Sequence, residues 1–536
     1  MPENAWPDWL RSPATIGYPT TFRLLVSAIA GAGLALSFTW LYFPVYAWVS
    51  VGVLLMMALS ASGRVAYFCG QVHAAAFVAA SVPWIAEVLS VHGGMSRLAG
   101  WGVLLLIALA WGVLTGGFSW GVNRIARRSV TLGCVAAPFL WVTFEFARAH
   151  LPEISFPWNL LGYSAGQNLG LLQSTTVTGI YGLSFVMAAF NSLLAWADVA
   201  KMVAVRRRLG VVSGAVALIL LAMFVGERLV PTAQAKHFAR AVQPNFPEVE
   251  TSEANWFGAH AGDLEELEEL SLAQSDHPVD LIVWPEAPAP FSWQDNAFAK
   301  LGSSLATRAG HPFLAGVIEW KSETLANGHT RQEPYNSAVL VDAQGQRVFV
   351  YDKRHLVPFG EYEPFPLIHR VVQSVSDEVG GFRKGTTAAV GELPSGYKFS
   401  VYICYEAIYP GEVREFVAKG ANLLINISND GWFGKSAAAE QHLRMARARA
   451  VENRRWVLRV TNSGLTAVID PYGRIFQTIP RDVRGAVDLP YDFRTDRTIY
   501  ARLGDWFAWM CVLVSVILLG DSLRDRKAVD TFRKKT

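Results

Sequence analysis

Long apolar runs separated by short charged breaks fill positions 21–228, and a different pattern takes over near Ala239. About 20 apolar residues in a helix cross a bilayer. The runs predict membrane helices near 22–38, 43–60, 66–89, 99–121, 131–148, 174–196, 210–227 and 503–521, eight in all. The last is the shortest, since its uninterrupted part runs from Trp506 to Gly520 behind Asp505. Glu87 and Glu145 fall near span ends, where a carboxylate either reaches the water interface or marks a functional site.

From Ala239 onward, short β-branched and apolar runs alternate with stretches of good helix formers. Strands are predicted at 239–243, 280–284, 312–318, 337–342, 347–350, 399–403, 422–427, 456–461 and 465–470. Helices are predicted at 254–273, 295–309, 410–418 and 437–453. This alternation argues for a layered α/β domain. Asp342-Ala-Gln-Gly and Asp470-Pro-Tyr-Gly are hairpin signals, so the sheets are mixed. The chain divides into an α-helical transmembrane bundle (1–234), a soluble α/β domain (235–498) and a final span with a basic tail (499–536).

Composition agrees with that division. Apolar residues make up 52% of the chain and charged residues only 17%, against about 25% charged in soluble proteins. The basic residues set an orientation. Arg64, then Arg124, Arg127 and Arg128, then Lys201 and Arg206–Arg208, and finally the tail from Arg524 to Lys535 occupy alternate breaks. By the positive-inside rule both termini are cytoplasmic, and the soluble domain faces the periplasm of a bacterial inner membrane. The net charge of +3 is accounted for by these breaks and gives no reason to expect nucleic acid. The N-terminal segment has no small-residue cleavage site, so the first span is expected to stay. Of four cysteines, Cys69, Cys134 and Cys511 lie in apolar runs, leaving Cys404 alone in the soluble domain. Neither a disulfide framework nor a metal spacing is available there.

Three strand ends carry candidate chemistry. In LIVWPEAPAP, Pro285 stops ladder pairing and Glu286 projects from the strand end. In VYDKRHLVPFGEYEPF, Lys353 follows a strand and Glu361 comes eight residues later. In FSVYICYEAIYP, the strand runs into Cys404, followed by Tyr405 and Glu406. Alone, the first two read as surface charges and the third as a buried thiol as readily as a nucleophile. Together they supply a base, a cation that stabilises thiolate and oxyanion, and a nucleophile on a strand-to-helix turn. There the Tyr405 N–H is placed to meet an oxyanion.

This ordered trio resembles the nitrilase superfamily, and the likeness runs over nearly all of 235–495, including NLLINISNDGWFG and the helix after it. It implies an α-β-β-α sandwich with Glu286, Lys353 and Cys404 as catalytic triad and Glu361 as the additional glutamate. With the eight spans, the FPWNLLGYS segment at 156–164 and the VQPN start of the soluble domain, the whole chain resembles the apolipoprotein N-acyltransferase family. That family has a functional tryptophan after the VQ-x-N start, for which Trp256 is the one candidate, at a longer spacing. The resemblance implies a two-step acyl transfer without cofactor. The donor would be a phospholipid, phosphatidylethanolamine, and the acceptor the N-terminal diacylglyceryl-cysteine of an apolipoprotein. Apolar side chains in two loops, Phe359, Phe365, Trp432 and Phe433, are expected to form a lipid-facing lid or else core. Two rival readings share the pattern: a membrane-tethered amidase or nitrilase acting on a small C–N substrate, and a non-enzymatic transporter or scaffold with a degenerate domain.

Overall fold

The computed structural model describes residues 17–39, 41–92, 94–152, 155–247, 253–324, 330–358, 360–362 and 381–533. It divides into two compact units. One comprises Met1–Ala86, Arg97–Val230 and Leu503–Thr536; the other comprises Glu87–Ser96 and Pro231–Arg502.

In the first unit, five helices are long and apolar enough to cross a membrane: Arg97–Ala126, Val130–His150, Ile180–Val199, Val205–Leu229 and Trp506–Arg524. The run predicted as one span at 66–89 is a pair of helices, Gly63–Ser81 and Trp84–Val91, bent by 56°. Pro83 sits in the break, where its missing N–H and its ring disfavour a continuous helix. Thr20–Ala35 and Pro44–Leu59 are apolar but shorter. The helix expected at 174–196 begins only at Ile180, because Gly179 takes φ 64° and separates it from a short turn at Thr175–Thr178.

Close packing and a few buried polar anchors hold this unit together, the usual means where lipid removes the hydrophobic drive. A Cβ on Gly31 would lie 1.9 Å from the His73 carbonyl oxygen, and one on Gly70 would lie 2.2 Å from that of Thr115. Asn191 donates to the Ala47 carbonyl at 2.9 Å and accepts from the Gly52 N–H at 2.8 Å. Arg23 donates to Ser60 Oγ at 2.9 Å.

The second unit contains two six-stranded sheets. The first has the order β12-β1-β2-β3-β4-β5 and the second β11-β10-β9-β8-β7-β6. The strands are β1 (His237–Gln243), β2 (Val279–Val283), β3 (Phe313–Thr324), β4 (Thr330–Val341), β5 (Arg347–Asp352), β6 (Gly391–Glu392), β7 (Lys398–Ile403), β8 (Leu423–Ser428), β9 (Val457–Thr461), β10 (Thr466–Ile469), β11 (Ile475–Ile479) and β12 (Gly485–Tyr491). Each sheet is parallel at its centre, β1-β2-β3 in one and β7-β8-β9 in the other, with antiparallel flanks.

The period of two along each strand sets the layers. Ala239, Ala241, Leu281, Val283 and Leu340 from the first sheet pack with Phe399, Val401, Ile425 and Ile427 from the second. Val242, Ile282, Trp284, Phe313 and Ala315 point the other way and bury Leu267, Phe298 and Leu305 of the helices Ala261–Leu272 and Asn296–Ala309. Helices Pro410–Ala418 and Ala438–Asn453 contribute Val413, Phe416, Ala446 and Ala450 to the core of the second sheet. The result is the expected helix–sheet–sheet–helix stack. Central strands buried on both faces explain the unbroken runs LIV and LLINIS.

Three strands, β6, β11 and β12, escaped the sequence pattern. β6 is two residues long, and β12 carries Gly485, Asp488 and Pro490 yet pairs along its whole length with β1. Tertiary pairing outweighs poor propensity there. The predicted helix 254–273 is two helices, Glu253–Ala259 and Ala261–Leu272, parted at His260.

Candidate functional site

Glu286 is delivered by β2 through Trp284-Pro285. Its backbone comes so near β3 that a Cβ on Gly316 would sit 2.5 Å from the Pro285 oxygen and 2.6 Å from Glu286 Cα. Only glycine admits this approach, and it lets the Gly316 N–H bond Pro285 O at 3.0 Å. Lys353 follows β5 directly, its N–H bonded to the Asn336 carbonyl of neighbouring β4 at 2.8 Å. Cys404 follows β7 and opens the 3-10 turn Cys404–Ile408 with φ 47°, a left-handed conformation costly for a residue with a Cβ.

The structure brings Glu286, Lys353 and Glu361 together with Asn336 into one buried polar cluster. Lys353 Nζ donates to Glu286 Oε1 at 2.9 Å and to Glu361 Oε1 at 2.8 Å. Asn336 Nδ2 bridges the same two oxygens, at 2.8 Å and 2.7 Å. The second oxygen of Glu286 accepts from the Asn429 N–H at 2.8 Å, and that of Glu361 from the Val357 N–H at 2.7 Å. Lys353 is 1% exposed. Burial alone disfavours its ammonium, but the charges of Glu286 and Glu361 outweigh burial and hold it protonated, well above the usual lysine range. The Cys404 thiol is pushed up by burial and by the Glu286 charge, against the pull of Lys353. A thiol so disposed rests protonated, and acting as a nucleophile would require a base to take its proton.

Glu406, one turn past Cys404, is fully engaged. Oε2 accepts from the Ile403 N–H at 2.7 Å. Oε1 accepts from Tyr351 Oη at 2.7 Å, the Arg354 N–H at 2.6 Å and the His355 N–H at 3.2 Å. One carboxylate thus ties the end of β7 to the segment following Lys353. Burial and the Glu412 carboxylate raise its pKa to about 7, against those hydrogen bonds. A carboxyl raised in the fold from an ordinary value of about 4.3 favours the folded state most at low pH, and that contribution fades as pH rises through the folded value. Melting temperature is therefore expected to fall between pH 5 and pH 8 by a component that Glu406→Gln removes. The same substitution costs about 1–3 kcal/mol, because its amide N–H groups face donors.

Behind the turn lies a network that sequence reasoning missed. His442 Nε2 is 2.9 Å from the Cys404 carbonyl oxygen, which only accepts, so Nε2–H donates. His442 Nδ1 lies 3.2 Å from Arg459 Nη2 and 3.0 Å from Asp430 Oδ1. Arg459 donates to Asp430 Oδ2 at 2.6 Å, and Ser428 Oγ to Asp430 Oδ1 at 2.8 Å. Burial opposes the Asp430 charge, yet Arg459 and His442 hold it below the usual carboxylate range. Asp430 in NISNDGWFG follows β8, a strand-end signal of the kind that revealed Cys404. Asn336 and Arg459 sit inside strands, where nothing in the pattern marks them.

Cys404 Sγ, an Asp430 oxygen and a His442 nitrogen lie within 4.8 Å of one another, the one group among the described residues spaced to hold a metal ion. Each of the last two is already engaged in this network, and a cation would have to displace the Arg459 guanidinium. The donor set does not suit a metal.

Of the lid residues, Trp432 is 49% exposed with its ring against His92, at 4.8 Å between centroids. Phe433 is half-buried, edge-on to His442. Phe359 and Phe365 lie outside the described residues. Trp256 is buried in an aromatic cluster with Phe246, His260 and Phe291.

Comparison with known proteins gives two family matches. Residues 234–494 match the carbon-nitrogen hydrolase family, and residues 30–193 match the apolipoprotein N-acyltransferase N-terminal domain. A relative from Geobacter metallireducens named apolipoprotein N-acyltransferase is 31% identical over 511 residues, covering 94% of this chain and 96% of that one. One of the same name from Rhodopseudomonas palustris is 35% identical over 401 residues, covering 71% and 72%. Among solved structures, an amidase of the nitrilase superfamily from Nesterenkonia overlays with a TM-score of 0.35 at 17% identity, covering 49% of this chain and 93% of that one.

Proposed function

The chain belongs to the apolipoprotein N-acyltransferase family, and on that premise we propose that it moves the sn-1 acyl chain of a phospholipid onto the α-amine of an N-terminal diacylglyceryl-cysteine through a thioester on Cys404. The observation that carries this reading is the buried Lys353 ammonium, bonded to Glu286 and close enough to act on the Cys404 thiol.

Glu286 takes the thiol proton as Cys404 Sγ attacks the ester carbon. Lys353 Nζ and the Tyr405 N–H receive the oxyanion. As the intermediate collapses, Glu286 returns the proton to the departing glycerol oxygen, and lysophospholipid leaves. The lipoprotein amine, with a reference pKa of about 7.7–8.0, attacks the thioester and gives its proton to Glu286. Cys404 leaves as thiolate and recovers that proton. Glu361 holds Lys353 between two carboxylates, and Glu406 fixes the turn that presents Cys404.

Phosphatidylethanolamine is the donor in this reading. The bundle crosses the membrane eight times, counting the bent pair and the two shorter apolar helices with the five long ones. Both termini are cytoplasmic and the catalytic domain periplasmic, as the loop charges support. The N-terminal family match over residues 30–193 favours this reading over a small-substrate amidase.

Incubating the purified protein with phospholipid alone is expected to add one acyl mass to Cys404 in intact-mass measurement, and none to a Cys404→Ala variant. A folded wild-type protein that gains no mass would overturn the thioester route.

A further inference from the structure

The end of β9 carries a side chain that the proposed chemistry does not yet use. Asn462, wholly buried, follows Thr461, the last β9 residue paired with β8. Its backbone N–H donates to the Ser428 carbonyl at 3.0 Å, and its carbonyl accepts from the Asn245 N–H at 2.8 Å. Its side-chain amide is committed as well. Oδ1 accepts from the Phe246 N–H at 3.0 Å, while Nδ2 donates to the Phe246 carbonyl at 2.9 Å and to Asn429 Oδ1 at 3.2 Å. One side chain thus meets the segment after β1 as a strand would, and turns its second N–H to the loop after β8. Asn245 makes the first contact possible by taking φ 53°, a conformation asparagine tolerates better than most residues.

The contact with Asn429 bears on the base. The Asn429 N–H donates to Glu286 Oε2 at 2.8 Å. Oε1 of the same carboxylate already accepts from Lys353 and Asn336. Oε2 is then the oxygen left to receive the thiol proton, and the Asn429 N–H sets the direction of its remaining lone pair. Asn429 stands one residue beyond β8, with φ −121° and ψ 87°, so the sheet ladder does not hold its peptide. Its side chain does: Oδ1 accepts from Asn462 and, at 3.4 Å, from the Gly431 N–H. The end of β1 has other anchors. Gln243 Oε1 accepts from Thr461 Oγ1 at 3.0 Å and from Thr466 Oγ1 at 2.7 Å.

We infer that Asn462 is a positioning residue for the base: through Asn429 it fixes the angle at which Glu286 faces the Cys404 thiol. The inference rests on the thioester chemistry proposed above and adds to it a residue outside the cluster of Glu286, Lys353 and Glu361. Asparagine suits the role because it offers one acceptor and two donors at this reach. Aspartate cannot donate, and glutamine is one methylene longer.

The test is the rate at which the purified full chain gains an acyl mass on Cys404 across a phosphatidylethanolamine concentration series. Asn429→Ala keeps the backbone N–H and the Phe246 clasp but removes the contact with Asn462. Its maximal rate is expected to fall about tenfold, the rate equivalent of one hydrogen bond, with half-saturating lipid and melting temperature unchanged. Asn462→Ala should lose the same factor and melt lower, since Phe246 loses its clasp. Combining the two should slow the reaction no further, because the same contact is removed from either side.

A wild-type rate in Asn429→Ala overturns the inference, whether or not Asn462→Ala folds. So do rate losses that multiply in the double variant, which trace the Asn429 effect to Gly431 instead, or a loss confined to half-saturating lipid. If the wild-type chain gains no acyl mass, the thioester reading falls by itself. Alkylation of Cys404 by iodoacetamide, in which the thiol proton passes to Glu286 and iodide leaves, then reads the base directly. Alkylation slowed about tenfold in Asn429→Ala, again one hydrogen bond's worth, sustains the inference; equal rates overturn it.

Discussion

Lys353→Met is expected to abolish acyl transfer and to destabilise the soluble unit by about 3–5 kcal/mol, the scale for breaking a buried ion pair by removing one partner. The methionine fills the same space but leaves Glu286 and Glu361 facing each other, with only the Asn336 amide between them. Two carboxylates that close share a proton, so the pKa of one rises. The variant's stability should then improve as pH falls from 7 towards 5, the sign for a carboxyl raised in the folded state. Melting curves at several pH values check this. Adding Glu361→Gln removes one of the two charges and should recover much of the lost stability. It should restore no thioester on Cys404, since the oxyanion still lacks its cation. Recovery of transfer in that double variant would show that Lys353 serves only to hold the fold.

Asp430→Ala acts on the opposite side of the nucleophile and is expected to cost a similar amount, about 3–5 kcal/mol. Arg459 is wholly buried, and losing Asp430 leaves its charge without a counter-ion. Activity should fall for a separate reason. His442 grips the Cys404 carbonyl, and the left-handed turn at Cys404 stores about 1–3 kcal/mol of strain that such contacts must offset. Once His442 loses its backing, the thiol is no longer held at one angle. A drop in kcat of about 10²-fold with little change in KM is expected, the cost of misplacing a reacting group by about an ångström. Asp430→Ala combined with Arg459→Met, which leaves no orphan charge, should regain stability while kcat stays low. If kcat recovers together with stability, the network only supports the fold.

The strand ends were legible because a buried strand must end where its polar residues begin. Trp284-Pro285-Glu286 and Ile403-Cys404 show that break in one dimension. Lys353 is legible for the same reason, one residue past β5. What closes the site is invisible to that reasoning. Asn336 lies among apolar neighbours in β4, where an inward polar residue looks like an interruption. Arg459 in β9 and His442 in a helix meet Asp430 only after the second sheet has formed. Five of the eight apolar runs were legible as helices long enough to cross a membrane, but the short helices Thr20–Ala35 and Pro44–Leu59, the 56° bend at Pro83 and the glycine break at position 179 depend on helix packing as much as on composition. The weak strand β12 gave no propensity signal because its partner β1 supplies the pairing.

Glu286 and Lys353 come from the first sheet, whereas Cys404 and Asp430 come from the second. In the proposed mechanism, base and cation are therefore on one half of the sandwich and the nucleophile on the other. Folding of either sheet alone produces a thiol with no base, or a base with nothing to activate. In that mechanism chemistry begins only when the two halves dock and Glu286 meets the Asn429 N–H. In that mechanism, an unfinished domain in a membrane of ester lipids has no base beside its thiol, and so cannot take up an acyl group that it has no means of passing on.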